Sequence, residues 1–209
     1  MPTLSRTISL WYHHTIIIVI SMLYILMPYQ SYAQIVIFES DFETTTGDNN
    51  WIMQGGAADG NWVIGQPSPY VTINIQMEIA AFDGNQVLLT GNINNQDVDG
   101  GPTSARSPGI VIPSGSTDID LAYYFSYYIN SSVDDYLLIE LRDQLTDNTL
   151  ETLVSIQGSS DGLDAAWVTT NRDLSAYSGL SLYIYVESCL LYTSPSPRDR
   201  TRSRMPSSA

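Results

Sequence analysis

The chain has 209 residues, with 8 Lys+Arg against 22 Asp+Glu and a formal charge of −14 at pH 7. That length fits one domain with terminal extensions, and 44% hydrophobic residues exclude a disordered acidic tail, because they can fill a core. Every basic residue is an arginine, and only Arg106, Arg142 and Arg172 lie between Gln34 and Ser188. Set against the 21 acidic residues of that stretch, they leave a net charge of −18, which repels phosphate backbones and argues against a nucleic-acid partner. The same stretch has no His, Cys or Lys, since His13 and His14 precede it and Cys189 follows it. Within it, His- or Cys-based nucleophile systems, His or Cys zinc sites and Schiff-base lysines are excluded. Carboxylates, hydroxyls, amides and three arginines remain for any chemistry, and the segment is not expected to be an enzyme.

Residues 1–33 have the three parts of an export signal. Arg6, His13 and His14 make a weakly basic start, Thr15 to Met27 is apolar, and Ser31-Tyr32-Ala33 fits a small-x-small cleavage site. The apolar run has 13 residues, short of the roughly 20 that cross a bilayer. The expectation is a secreted, extracellular or cell-surface protein with no membrane span after cleavage.

From Gln34 onward strand signals dominate. Short candidates come first: Ile35–Phe38, Trp62–Ile64, Val71–Ile75, Val87–Thr90 and Ser104–Ile112. Asp118–Asn130 then alternates strictly, with Ile119, Leu121, Tyr123, Phe125, Tyr127 and Ile129 on one face. Tyr136–Arg142 turns Leu137, Ile139 and Leu141 inward. After Thr149–Ile156 and Trp167–Thr170, Leu180–Glu187 sends Leu180, Leu182, Ile184 and Val186 to the core and Tyr183 and Tyr185 outward. Gly-, Asn- and Asp-rich turns separate these runs, and no stretch keeps a helical period. Many short strands at roughly ten-residue spacing predict one all-β domain over 34–188, an antiparallel two-sheet β-sandwich.

The motif order carries a resemblance. Asp41-Phe-Glu43 is followed by Ala58-Asp-Gly-Asn-Trp62, Gly65-Gln-Pro67, Leu88-Leu-Thr-Gly-Asn92 and Asp97-Val-Asp-Gly-Gly-Pro-Thr103. Asp134-Asp-Tyr-Leu-Leu-Ile-Glu140, Trp167 and Asp173-Leu-Ser-Ala-Tyr-Ser-Gly179 come later. The set resembles the jelly-roll accessory modules of bacterial secreted proteins, similar to the MAM and cleaved-adhesin type of concanavalin-like sandwich. The resemblance covers Phe38 to Glu187. It implies a jelly roll, a further acidic strand that this chain lacks, and in some members a structural calcium held by the early Phe-Glu and neighbouring acidic loops. The last segment, 189–209, resembles a translated sequencing adapter from Cys189-Leu-Leu-Tyr to Ala209. It is read as a non-native tail on a truncated module.

Calcium takes six to eight hard oxygen ligands. Asp41, Glu43, Asp97, Asp99, Asp134 and Asp135 offer carboxylates in loops or at strand ends, so a calcium clip is expected among them. Tyr124, Tyr128, Tyr183 and Tyr185 share the non-core parity of two strands, and such rings can stack on sugar faces while their hydroxyls hydrogen-bond. If the two strands neighbour each other, the four rings form a polysaccharide platform. Glu140 with Glu151 or Glu187 is a weak candidate for a glycosidase pair, because any acidic chain offers such pairs. Trp62 and Trp167 are expected in the core. The functional expectation is a non-catalytic module for adhesion or carbohydrate binding, with polysaccharide or a cell-surface ligand as partner. The alternative is the N-terminal fragment of a secreted hydrolase, either a protease or a glycosidase.

Overall fold

A computed structural model describes residues 35–67, 80–91, 98, 100–115, 117–127, 131–161, 163 and 166–189. The chain divides into two units at Val36/Ile37, and every element below belongs to the second. Among the described residues the structure is β-strand and turn, with two short 3-10 turns and no α-helix. No helix there is long and apolar enough to cross a membrane.

Ten strands follow in order among the described residues: β1 (Ile52–Gln54), β2 (Val63–Gly65), β3 (Val87–Leu89), β4 (Thr103–Arg106), β5 (Ile110–Val111), β6 (Asp118–Tyr123), β7 (Tyr136–Asp143), β8 (Thr149–Gln157), β9 (Val168–Asp173) and β10 (Ser181–Cys189). The large sheet runs β1-β4-β10-β7-β8, with β5 also pairing β10; β2 pairs β3, and β6 pairs β9. Every pairing is antiparallel. The all-β antiparallel class read from the alternation is therefore the class observed.

The core lies on one face of the large sheet. Leu137, Ile139 and Leu141 of β7 and Leu182, Ile184 and Val186 of β10 are buried, as their parity requires. Ile119, Leu121 and Tyr123 of β6 close over this core together with Trp51 and Trp62. Two layers of strands thus share one apolar interior, the arrangement of a sandwich.

Several expectations need correction. Ile35–Phe38 has no strand, and Leu180 is 38% exposed rather than inward. Ser104–Ile112 is two strands, because Pro108 has no N–H for a ladder. Ser107 bridges the break: its N–H donates to the Ile184 carbonyl at 2.9 Å, and its hydroxyl accepts from the Ile184 N–H at 2.9 Å. Tyr183 faces away from the core, as predicted, yet it is only 5% exposed. Its strand is central, so side chains of both neighbouring strands close over it. Val71–Ile75, Ile129, Asp97, Asp99 and Tyr128 lie outside the described residues, as does the tail beyond Cys189. Cys189 itself is buried at the end of β10, paired with Tyr136, so regular packing runs one residue past the expected boundary.

Candidate functional site

The Asp41-Phe42-Glu43 motif is a loop fastened by hydrogen bonds. Asn49, buried beneath it, donates from Nδ2 to Asp41 Oδ1 at 2.6 Å and accepts the Phe42 N–H at 3.0 Å. Phe42 has φ +62°, a left-handed conformation unusual for a bulky residue. Its ring lies 5.6 Å from the Trp51 ring. Glu43 Oε1 accepts the Asn85 and Gln86 N–H groups at 2.6 and 2.9 Å. Those two amides favour the charged form and hold the Glu43 carboxyl below its ordinary range. The Asn49 amide, then the Glu43 N–H, does the same for Asp41. Gly84 takes φ +63°, where a larger residue is strained, and a Cβ there would displace the Glu43 carboxylate from its place in the clip.

This clip positions an aromatic surface. The segment from Ala80 to Gln86 is tied at its far end by Glu43. At its near end the Trp167 indole N–H donates to the Ala80 carbonyl at 3.1 Å. Between the two ties stands Phe82, 55% exposed. Its ring lies 5.6 Å from Trp167, edge to face, and Tyr124 lies 5.8 Å from Trp167 in the same manner. Three separated segments thus bring together Phe82, Trp167 and Tyr124. Tyr124 was singled out in the sequence, Trp167 was expected in the core, and Phe82 carried no signal. Trp167 is in fact half-buried at the entry to β9.

Tyr124 does not share a sheet with Tyr183 and Tyr185, and Tyr128 lies outside the described residues. Tyr124 follows β6, which pairs with β9, whereas Tyr183 and Tyr185 sit on β10 in the large sheet. Tyr183 donates its hydroxyl to Asp147, a residue that φ +61° turns back from the β7–β8 hairpin. Arg142 lies 3.5 Å above the Tyr185 ring, close enough for a cation–π contact. Burial, then the Glu187 carboxylate as hydrogen-bond acceptor, raises the Tyr185 hydroxyl above its ordinary pKa.

The acidic candidates divide likewise. Asp135 is buried and staples the turn before β7, its Oδ2 accepting the Ser132 N–H at 2.7 Å, while Asp134 beside it is exposed. Among the described residues no three His, Cys, Asp or Glu side chains gather as a metal-holding group. Asp41 and Glu43 alone fall short of the oxygen count calcium takes. The carboxylate pairs are also occupied. Glu140 binds Arg142 at 2.8 Å and accepts the Thr149 hydroxyl at 3.1 Å; Glu187 accepts the Tyr136 and Tyr185 hydroxyls at 2.6 and 2.5 Å. Glu151 pairs opposite core-facing Leu141 and accepts the Tyr177 hydroxyl at 3.0 Å.

Compared with protein-family models and with curated proteins, the chain matches none.

Proposed function

We propose that the chain is a non-catalytic, exported β-sandwich module of the jelly-roll kind that binds carbohydrate through Phe82, Trp167 and Tyr124. The observation that carries this reading is the pair of ties at Ala80 and at Asn85–Gln86, which hold a largely exposed phenylalanine against a half-buried tryptophan. Exposed aromatic area on a fixed frame offers stacking surface to a sugar face at little cost in ordering. The leader supports export, and the hydrogen-bonded state of Glu140 and Glu187 supports binding over hydrolysis.

The test is affinity electrophoresis of the full chain in gels containing neutral plant or algal polysaccharides. Phe82→Ala should weaken retention severalfold, in line with about 0.5–1.5 kcal/mol for one aromatic contact, and leave the melting midpoint nearly unchanged. Trp167→Phe should weaken it too. Retention that is absent, or insensitive to both substitutions, overturns the reading.

A further inference from the structure

The face of the large sheet opposite the core holds a second polar surface. Strand register places Ile52, Arg106, Tyr185 and Glu140 side by side across β1, β4, β10 and β7. Neighbouring strands lie about 4.8 Å apart, so Ile52 and Tyr185 flank Arg106 across roughly 10 Å. Ile52 is 47% exposed, Arg106 is exposed, and Tyr185 is half-buried.

The charges on this face are not alike. Arg142 is engaged by Glu140 at 2.8 Å and lies 3.8 Å from Asp147. Glu187 is engaged by two tyrosine hydroxyls. Arg172, elsewhere, lies 3.7 Å from Glu151. Among the described residues Arg106 alone of these three arginines has no carboxylate partner within ion-pair distance. Its guanidinium instead lies 5.7 Å from the centroid of the Tyr183 ring. In a segment of net charge −18, a guanidinium left without a carboxylate is the place where an anion gains most and a cation least. The fork of its N–H donors matches a planar carboxylate bidentately.

We infer that Arg106, flanked by Ile52 and Tyr185, is a binding site for the carboxylate of an acidic sugar, a uronic-acid residue within a glycan. The class of ligand rests on the carbohydrate reading above; the charge rests on Arg106 alone. The sugar ring covers Ile52 and meets the edge of Tyr185, one of whose faces Arg142 occupies, while its carboxylate meets the guanidinium. A long polyanion is disfavoured, because the rest of the surface repels it. At about 0.15 M salt the Debye length is about 8 Å, so distant carboxylates are screened while the direct contact is not.

The experiment follows the arginine side-chain N–H resonances of the labelled full chain during titration with trigalacturonate, its methyl ester and a neutral trisaccharide. The Arg106 resonance, assigned by its loss in Arg106→Gln, should shift with trigalacturonate and not with the other two. Arg106→Gln should weaken that binding about tenfold or more, as expected for loss of a charge-assisted hydrogen bond. Arg106→Lys, which keeps the charge without the fork, should recover part of it. Equal shifts with the methyl ester, or unchanged affinity in Arg106→Gln with the fold intact by its melt, overturn the inference. If that happens while Phe82→Ala still weakens neutral-glycan retention, the carbohydrate reading stands and the Arg106 site falls. If Arg106 responds to the uronate while Phe82 and Trp167 affect no glycan, the aromatic site falls and the Arg106 site stands.

Discussion

Glu43 shows how one carboxylate can join two distant loops through backbone amides. It lies 42 residues before Asn85, and its two amide partners fix the turn that presents Phe82. Both Asp41 and Glu43 titrate lower in the folded chain than their ordinary values. The unfolded chain therefore binds more protons. The stability these groups supply is complete above the ordinary carboxylate values, about 3.9 and 4.3, and is lost as the pH falls through the folded values. Asp143, held by the Thr146 N–H and hydroxyl, and Asp173, held by the Ser175 hydroxyl and N–H, act in the same direction. Glu43→Gln keeps an acceptor oxygen but does not titrate. Thermal midpoints from pH 3 to 7 should fall less steeply with acid in this variant than in the parent, whereas Glu43→Ala should lower the midpoint at neutral pH as well. An acid slope identical in parent and Glu43→Gln would remove Glu43 from the account.

At the level of the strand, Leu141 marks what the large sheet needs. It is fully buried in β7, between β10 and β8. Leu141→Ala should cost about 2–5 kcal/mol in urea unfolding, since the methylenes are lost and the cavity cannot close. Leu145, 93% exposed on the β7–β8 hairpin, is the control, and Leu145→Ala should change stability by no more than about 0.5 kcal/mol. Comparable losses at the two positions would mean that the sheet is not packed as described. The period-2 pattern made β7 and the core face of β10 legible in sequence, because alternate burial leaves alternate apolar residues. It did not reveal β1, which has three residues amid turn-forming ones and exists through its long-range pairing with β4. Nor could it show that Tyr183 is sealed, since lateral burial depends on a strand's place in the sheet order. Phe82 and Trp167 were illegible as a pair for a related reason. They are 85 positions apart, and the Glu43 clip and the indole hydrogen bond bring them together.

Charge acts on the molecule as a whole. A net −18 over residues 34–188 raises the energy of the compact state through self-repulsion. Only Arg142 and Arg172 form ion pairs among the described residues, so most of that charge is left to solvent and counterions. Divalent cations should therefore raise the melting midpoint of the full chain more than sodium does at equal ionic strength. The comparison of calcium with magnesium carries further information. A carboxylate-rich, flexible site of seven or so oxygens accepts calcium and discriminates against the smaller, rigidly octahedral magnesium, whereas diffuse relief of repulsion does not discriminate. Because hydrogen bonds already hold Glu43, and because no three acidic side chains converge among the described residues, the two ions should act alike. A gain specific to calcium, approaching about 2.7 kcal/mol at a hundredfold excess over its dissociation constant, would instead establish a bound ion. Loss of that gain in Glu43→Gln would make Glu43 one of its ligands, and the clip would then be a metal-assisted one.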